Sequence, residues 1–344
     1  MNKVILTLCG VVMLLPDFVR AGDFNDARVS HVEFPGWFIK SPFHELNEDL
    51  RAARTAGKQG LMVLYSTQGC SYCTLFVKKN LADPEIVATI QKHFDAVGME
   101  IFDDAELIDP GGNKTTIKEF ASQEGVMFSP TILFYGLDGK RLFKLTGYPS
   151  PERFKAVLQY VTDGHYRTVT FAEYLQRNKP KNQNQRNATL KSDPLFSKPP
   201  HLLQRNVIAA QQPLLVIFEE PGNQEVSDFH AGVLSNNNIR KSLGQFEVVR
   251  LNAMDEKSVL ITPDGFRKTP AEWYREKRLS RVPALLFYTK NGTEVLVTDE
   301  LVQKQRMINS VGFVLDEAYK KGWTYQRYAR TKAIERMLNR HQSQ

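Results

Sequence analysis

The sequence predicts an α/β chain built from two tandem domains, and three observations predict it. Short apolar runs alternate with segments of helical spacing, as in Leu61-Met62-Val63-Leu64-Tyr65 ahead of residues 74–80. The same landmarks recur at one offset: Pro283 − Pro130, Leu214 − Leu61, Pro263 − Pro110 and Gly292 − Gly139 are all 153. Between the copies, residues 178–200 are rich in Asn, Gln, Lys and Pro and read as a linker. A length of 344 residues suits two domains of ordinary size.

Taken in order, the chain opens with an export signature. Lys3 supplies the positive start, residues 4–15 the apolar core, and Val19-Arg20-Ala21 a cleavage site before Gly22. That core is 12 residues, short for a bilayer span. Residues 1–21 are therefore expected to be a signal peptide and the protein to be periplasmic. Cys9 would leave with the signal, so the mature chain would keep only Cys70 and Cys73. An exported protein whose only cysteines form C-x-x-C reads as a handler of disulfides rather than a protein stapled by one.

The first domain is expected over 22–177, including an N-terminal extension. Residues 45–56 carry helical spacing through Leu46, Leu50 and Ala53 and stop at Gly57. Residues 61–66 read as a buried strand. Asp83-Pro84-Glu85 is a helix start, with a cap, a first-turn proline and an acid. Residues 96–102 are the next expected strand, and Asp109-Pro110-Gly111-Gly112 marks the tip of an inserted hairpin. A helix at 117–123 follows. Phe128-Ser129-Pro130-Thr131 then leads into an apolar strand. A proline cannot donate to a ladder, so its place there marks an edge or a cis peptide, and a cis Ser129–Pro130 bond is the expectation. Asp138-Gly139 turns into a hairpin partner at 141–145, and Ser150-Pro151-Glu152 starts an amphipathic helix. The order is β-α-β-α-β-β-α.

Chemistry points to Gly69-Cys70-Ser71-Tyr72-Cys73, set between the strand and a helix start. A thiolate is the nucleophile of disulfide exchange, and the free N–H groups and positive end of a helix stabilise it. On spacing alone the motif fits a redox dithiol, a structural disulfide or half a zinc site. Zinc wants four ligands, and neither a second C-x-x-C nor a His pair follows.

Together, Cys70-Ser71-Tyr72-Cys73, Asp83-Pro84-Glu85, Ser129-Pro130-Thr131, Asp138-Gly139-Lys140 and Gly147-Tyr148 resemble the thioredoxin superfamily over about residues 45–162. Within it they are similar to the exported SoxW-like thioredoxins and, more distantly, to the Dsb isomerases. The resemblance implies a central mixed sheet flanked by helices. It implies that Cys70 attacks and Cys73 resolves. It also implies that Pro130 faces the pair in cis, that the Ser129 backbone pairs with an extended substrate, and that Ser71 and Tyr72 complete the substrate-binding set. Gly69 and Ser71-Tyr72 stand where thioredoxin proper has Trp and Gly-Pro, and Leu64 replaces its buried acid. Tyr72 and Ser129 lean toward the isomerases, so the direction of electron flow stays open.

The second domain, 201–344, has Asn223, Gln224, Glu225 and Val226 at the motif position. It carries no sulfur and is expected to be redox-inactive, either gripping a substrate or supporting the first domain. Its tail, with Tyr325 and Tyr328 and a basic end, reads as helical core with a solvated face. The formal charge of +7 is scattered through helical segments rather than arrayed with aromatics, so no nucleic-acid role is expected. No metal or cofactor is expected either. The reading is an exported thiol–disulfide oxidoreductase that reduces protein or small-molecule disulfides, recharged by a membrane electron donor of the DsbD or CcdA type. The alternatives are a disulfide isomerase or oxidant, and a chaperone-like binding module.

Overall fold

The structure, a computed structural model, describes residues 24–29, 32–39, 43–178, 190 and 192–342. The expected signal peptide and most of the expected linker lie outside them.

The first half runs β1 (His44–Glu45), α1 (Leu46–Thr55), β2 (Gly60–Ser66), α2 (Ser71–Lys79), α3 (Pro84–His93), β3 (Phe94–Glu100), β4 (Glu106–Ile108), β5 (Lys114–Thr116), α4 (Ile117–Gln123), β6 (Thr131–Gly136), β7 (Arg141–Thr146), α5 (Pro151–Thr162) and α6 (Phe171–Asn178). Its main sheet has the order β3-β2-β6-β7. β2 is parallel to β3 and antiparallel to β6, and β6 is antiparallel to β7. The expected hairpin is β4–β5, joined by β1 in a small second sheet.

β2 is the central strand, and its composition says why. Every one of its residues is buried. Side chains alternate between faces of a strand, so a continuous apolar run needs cover on both sides. Met62 and Leu64 pack with Phe76, Ile86 and Phe154, while Leu61, Val63 and Tyr65 pack with Leu46, Leu50 and Phe120. Burying side chains of this size stabilises by about 1.5–3 kcal/mol each. On the other face from α1, α3 begins on a cap. The Asp83 carboxylate accepts from the N–H groups of Glu85 and Ile86 ahead of α3. Strand β3 lies two residues upstream of the expected span. Register with β2, from Gly60↔Phe94 to Ser66↔Glu100, sets it there, and Glu100 then turns back onto the neighbouring loop.

The second half runs β8 (Leu214–Glu219), α7 (Gln224–Phe229), α8 (Asn237–Leu243), β9 (Glu247–Asn252), β10 (Leu260–Ile261), β11 (Arg267–Lys268), α9 (Pro270–Glu276), β12 (Ala284–Tyr288), β13 (Glu294–Thr298), α10 (Lys304–Leu315) and α11 (Tyr325–Gln342). This is an α/β unit with a sheet of order β13-β12-β8-β9. β8 is parallel to β9 and antiparallel to β12, and β12 is antiparallel to β13. Strand for strand, the pairing repeats that of the first sheet. The Ser129–Pro130 and Val282–Pro283 peptides are both cis.

The halves share packing. Phe128, two residues before Pro130, belongs to the core of the second half and lies 4.8 Å from the Tyr325 ring. Tyr325 and Tyr328 are core residues there, as the aromatic spacing implies.

β2 must pass close to β6 at its start. Gly60 has φ 156°, and a Cβ there would lie 1.8 Å from the Tyr135 carbonyl oxygen. Gly60→Ala should therefore cost on the order of 2–4 kcal/mol, read as a lower denaturant midpoint at unchanged slope. A loss below about 0.5 kcal/mol would mean that the two strands separate easily there.

Candidate active site

β2 ends at Ser66, and after a loop of four residues α2 begins. That short loop is held from β3. The Thr67 hydroxyl and the Gln68 N–H donate to one Glu100 carboxylate oxygen at 2.7 and 3.3 Å, and the Phe102 N–H donates to the other. Glu100 thereby fixes the approach to Cys70.

Cys70 is the N-cap residue of α2. Its sulfur accepts from the Cys73 N–H at 3.1 Å, as a capping oxygen would. The two cysteines are disulfide-bonded. Cys73 is fully buried and Cys70 is 8% exposed, so Cys70 is the sulfur that faces outward. The cis-proline turn stands opposite. The Thr131 hydroxyl donates to the Phe128 carbonyl and the Gly147 N–H to the Pro130 carbonyl, which sets the turn ahead of β6. Cys70, Ser71, Tyr72 and Ser129 line one cleft of about 60 Å³. Pro130, the next residue across the cis peptide, does not line it.

The far wall of that cleft comes from the second half, through Arg306 and Asn309 of α10 and Gln326 and Arg330 of α11. The Arg306 guanidinium lies 3.7 Å above the Tyr72 ring and donates to the Ser129 carbonyl at 3.3 Å and to the Leu301 carbonyl at 2.9 Å. Arg306 is only 5% exposed. Asp26, from the N-terminal segment, joins all three parts. Its carboxylate accepts from the Tyr72 hydroxyl and from the N–H groups of Gln305 and Arg306, so it caps α10 from a distance in sequence of 279 residues. The Ser71 hydroxyl donates to the Asp26 carbonyl. Both side chains between the cysteines are therefore engaged within the protein rather than presented on an open surface. Burial pushes the Tyr72 phenol well above its ordinary value, and Arg306 opposes that without cancelling it.

Asp26, Glu100 and Arg306 are the site residues that sequence reasoning missed. For Arg306 a signal existed. It sits 153 residues after Arg153, and each is the third residue of its helix, α10 or α5. The Arg153 guanidinium donates to Ser280 in the loop ahead of cis-Pro283, and Arg306 to Ser129 ahead of cis-Pro130. Each half thus sends the same arginine toward the other half's proline loop. At the position equivalent to Cys70, the Asn223 side-chain oxygen caps α7 by accepting from Glu225 and Val226.

A family model described as thioredoxin-like domain matches residues 46–162. Among solved structures, a thioredoxin-fold protein from Helicobacter pylori is 29% identical over 34% of this chain and 78% of its own, with a TM-score of 0.31. A putative disulphide-isomerase from Bacteroides thetaiotaomicron is 25% identical over 37% of this chain and 96% of its own, with a TM-score of 0.28. The C-terminal domain of DsbD from Neisseria meningitidis, oxidised form, is 13% identical over 34% and 90%, with a TM-score of 0.25. A search of curated proteins finds no match to this chain. The first half is thus a thioredoxin-like domain carrying a C-x-x-C disulfide.

Glu300 is a buried titratable group at the junction. A Cβ on Gly147 would lie 2.4 Å from its carboxyl oxygen, so the glycine lets the acid press against the first half. Burial, with Asp299 adding, pushes the Glu300 carboxyl from 4.5 up to about 8, against the pull of Arg281, Arg153 and Arg306. Its folded value lies above its unfolded one. The stabilisation is therefore complete below the unfolded value and is lost as pH rises through about 8. Thermal stability should fall across that window, and Glu300→Gln, which mimics the protonated acid, should flatten the dependence. An unchanged pH profile in the variant would remove Glu300 from the account.

Proposed function

We propose that this chain is an exported thiol–disulfide oxidoreductase that works as a reductant. The observation that carries the reading is the place of Cys70. It is the outer sulfur of a C-x-x-C pair, at the N-cap of α2, opposite a cis-proline turn. In the reduced protein the Cys70 thiolate attacks a substrate disulfide. A Cys70–substrate disulfide forms and the first substrate thiolate leaves. Cys73, deprotonated, then attacks the Cys70 sulfur, the second substrate thiolate leaves, and the Cys70–Cys73 disulfide closes. Two electrons pass to the substrate, and an external dithiol donor must return them. A membrane donor of the DsbD or CcdA type fits an exported reductant. Orphaned N–H groups at the start of α2 favour the Cys70 thiolate and so make it the attacking sulfur of the first step.

The second half is, in this reading, a sulfur-free thioredoxin-like copy. The repeated strand order, the matching cis-proline and the Asn223 cap support that. Export rests on the N-terminal residues Lys3 through Ala21. One observation favours a second reading, in which the copy grips polypeptide. A crevice of about 520 Å³ runs between the halves beside Phe229, Arg281 and Pro283. Suppression of aggregation by the Cys70→Ser, Cys73→Ser double variant would support that reading, and its absence in the wild type would end it.

Two measurements test the redox reading. Reduction of hydroxyethyl disulfide by the reduced protein should fall to the uncatalysed rate in Cys70→Ser, and a wild-type rate in that variant would end the proposal. Titration against glutathione or dithiothreitol should place the pair near roughly −270 mV, the thioredoxin range, whereas about −180 to −120 mV would make the protein an isomerase or oxidant.

A further inference from the structure

We propose that Arg306 is a specificity-determining residue, a side chain from the second half that favours small disulfides over polypeptide disulfides at Cys70. The inference rests on the redox reading above for its substrate class, and on geometry alone for its access rule.

The Cys70 sulfur faces a cleft of about 60 Å³, room for only a few water molecules. A disulfide within a polypeptide brings its flanking backbone, and that backbone needs the space over Tyr72 and Ser129. Arg306 fills that space, stacked on the Tyr72 ring at 3.7 Å with its guanidinium on the Ser129 carbonyl. It does not swing freely. Leu301 holds the guanidinium through a second carbonyl, and Asp26 holds the Arg306 backbone N–H. The surrounding cover is fixed as well. Phe128 is built into the second half's core, and Ala333 of α11 stands 3.8 Å from where a Cβ on Gly69 would lie. Protein substrates would have to displace the Arg306 side chain, and so would a protein electron donor. Compact disulfides and thiols approach Cys70 without doing so.

The test reads access at Cys70 and needs no catalytic turnover. The reduced full chain is alkylated with N-ethylmaleimide and, separately, with fluorescein maleimide. Each rate is taken at the Cys70 peptide and divided by the rate of glutathione with the same reagent. In the wild type the bulky reagent should be disfavoured by about tenfold or more, and Arg306→Ala should abolish most of that bias, as expected for loss of a desolvated cation–π contact and a charged hydrogen bond. Arg306→Lys keeps the length, the charge and a donor, and should keep part of the bias. General loosening of the fold would instead raise both reagents equally in both variants. Equal normalised rates in the wild type would overturn the proposal even if no variant folds, and so would an unchanged ratio in Arg306→Ala. The second arm is reduction of insulin against hydroxyethyl disulfide, where Arg306→Ala should gain rate on insulin selectively. If no disulfide is reduced by any form, the redox reading fails, and the alkylation ratio still decides the access rule.

Discussion

A sulfur at the N-cap of a helix is useful only while the free amides of that helix end stay aimed at it. The Cys70–Cys73 N–H contact is that interaction, and much of the structure serves to keep it in place. β2 delivers the loop from the middle of the sheet, covered on both faces. Glu100 clamps the loop from β3, and the cis-proline turn closes the opposite side. Tyr72 and Ser71, between the sulfurs, are tied to Asp26. The first turn of α2 is thus held on all sides, and little rearrangement remains for the moment of reaction.

The second half enters this arrangement through charge as much as through apolar packing. Arg306 is a buried cation whose partners are two carbonyls and an aromatic face. Arg281 is paired with Glu225 and also donates to the Tyr148 carbonyl across the junction. Glu300 sits among these cations as a carboxyl that favours its neutral form. A junction of this kind is specific in its geometry, because each buried polar group left without its partner would cost free energy.

Much of this was legible in the sequence, and the illegible part has a common cause. The apolar run at β2 declares a central strand because an unbroken apolar run this short, closed by a loop containing Gly69, needs cover on both faces. Asp83-Pro84-Glu85 declares a helix start for local reasons, and the 153-residue offset declares the repeated landmarks. The C-x-x-C pair and the proline turn could be named because their chemistry is local. Asp26, Glu100 and Arg306 could not, since each works through a partner that the fold brings from elsewhere. Asp26 reads as one acid in a polar extension until α10 is placed upon it. The shift of β3 by two residues is of the same type, as register with β2 overrides the local apolar pattern.

Arg153 and Arg306 occupy matching positions and reach into matching loops, so the two halves meet much as two copies would across a two-fold axis. Here both sides of that contact lie on one chain. A pair of separate subunits would trade cover over their sulfurs for exposure on dilution. A single polypeptide holds its partner at a fixed effective concentration, so the shielding of Cys70 is independent of how much protein surrounds it. Scarcity of the protein does not leave its thiol unguarded.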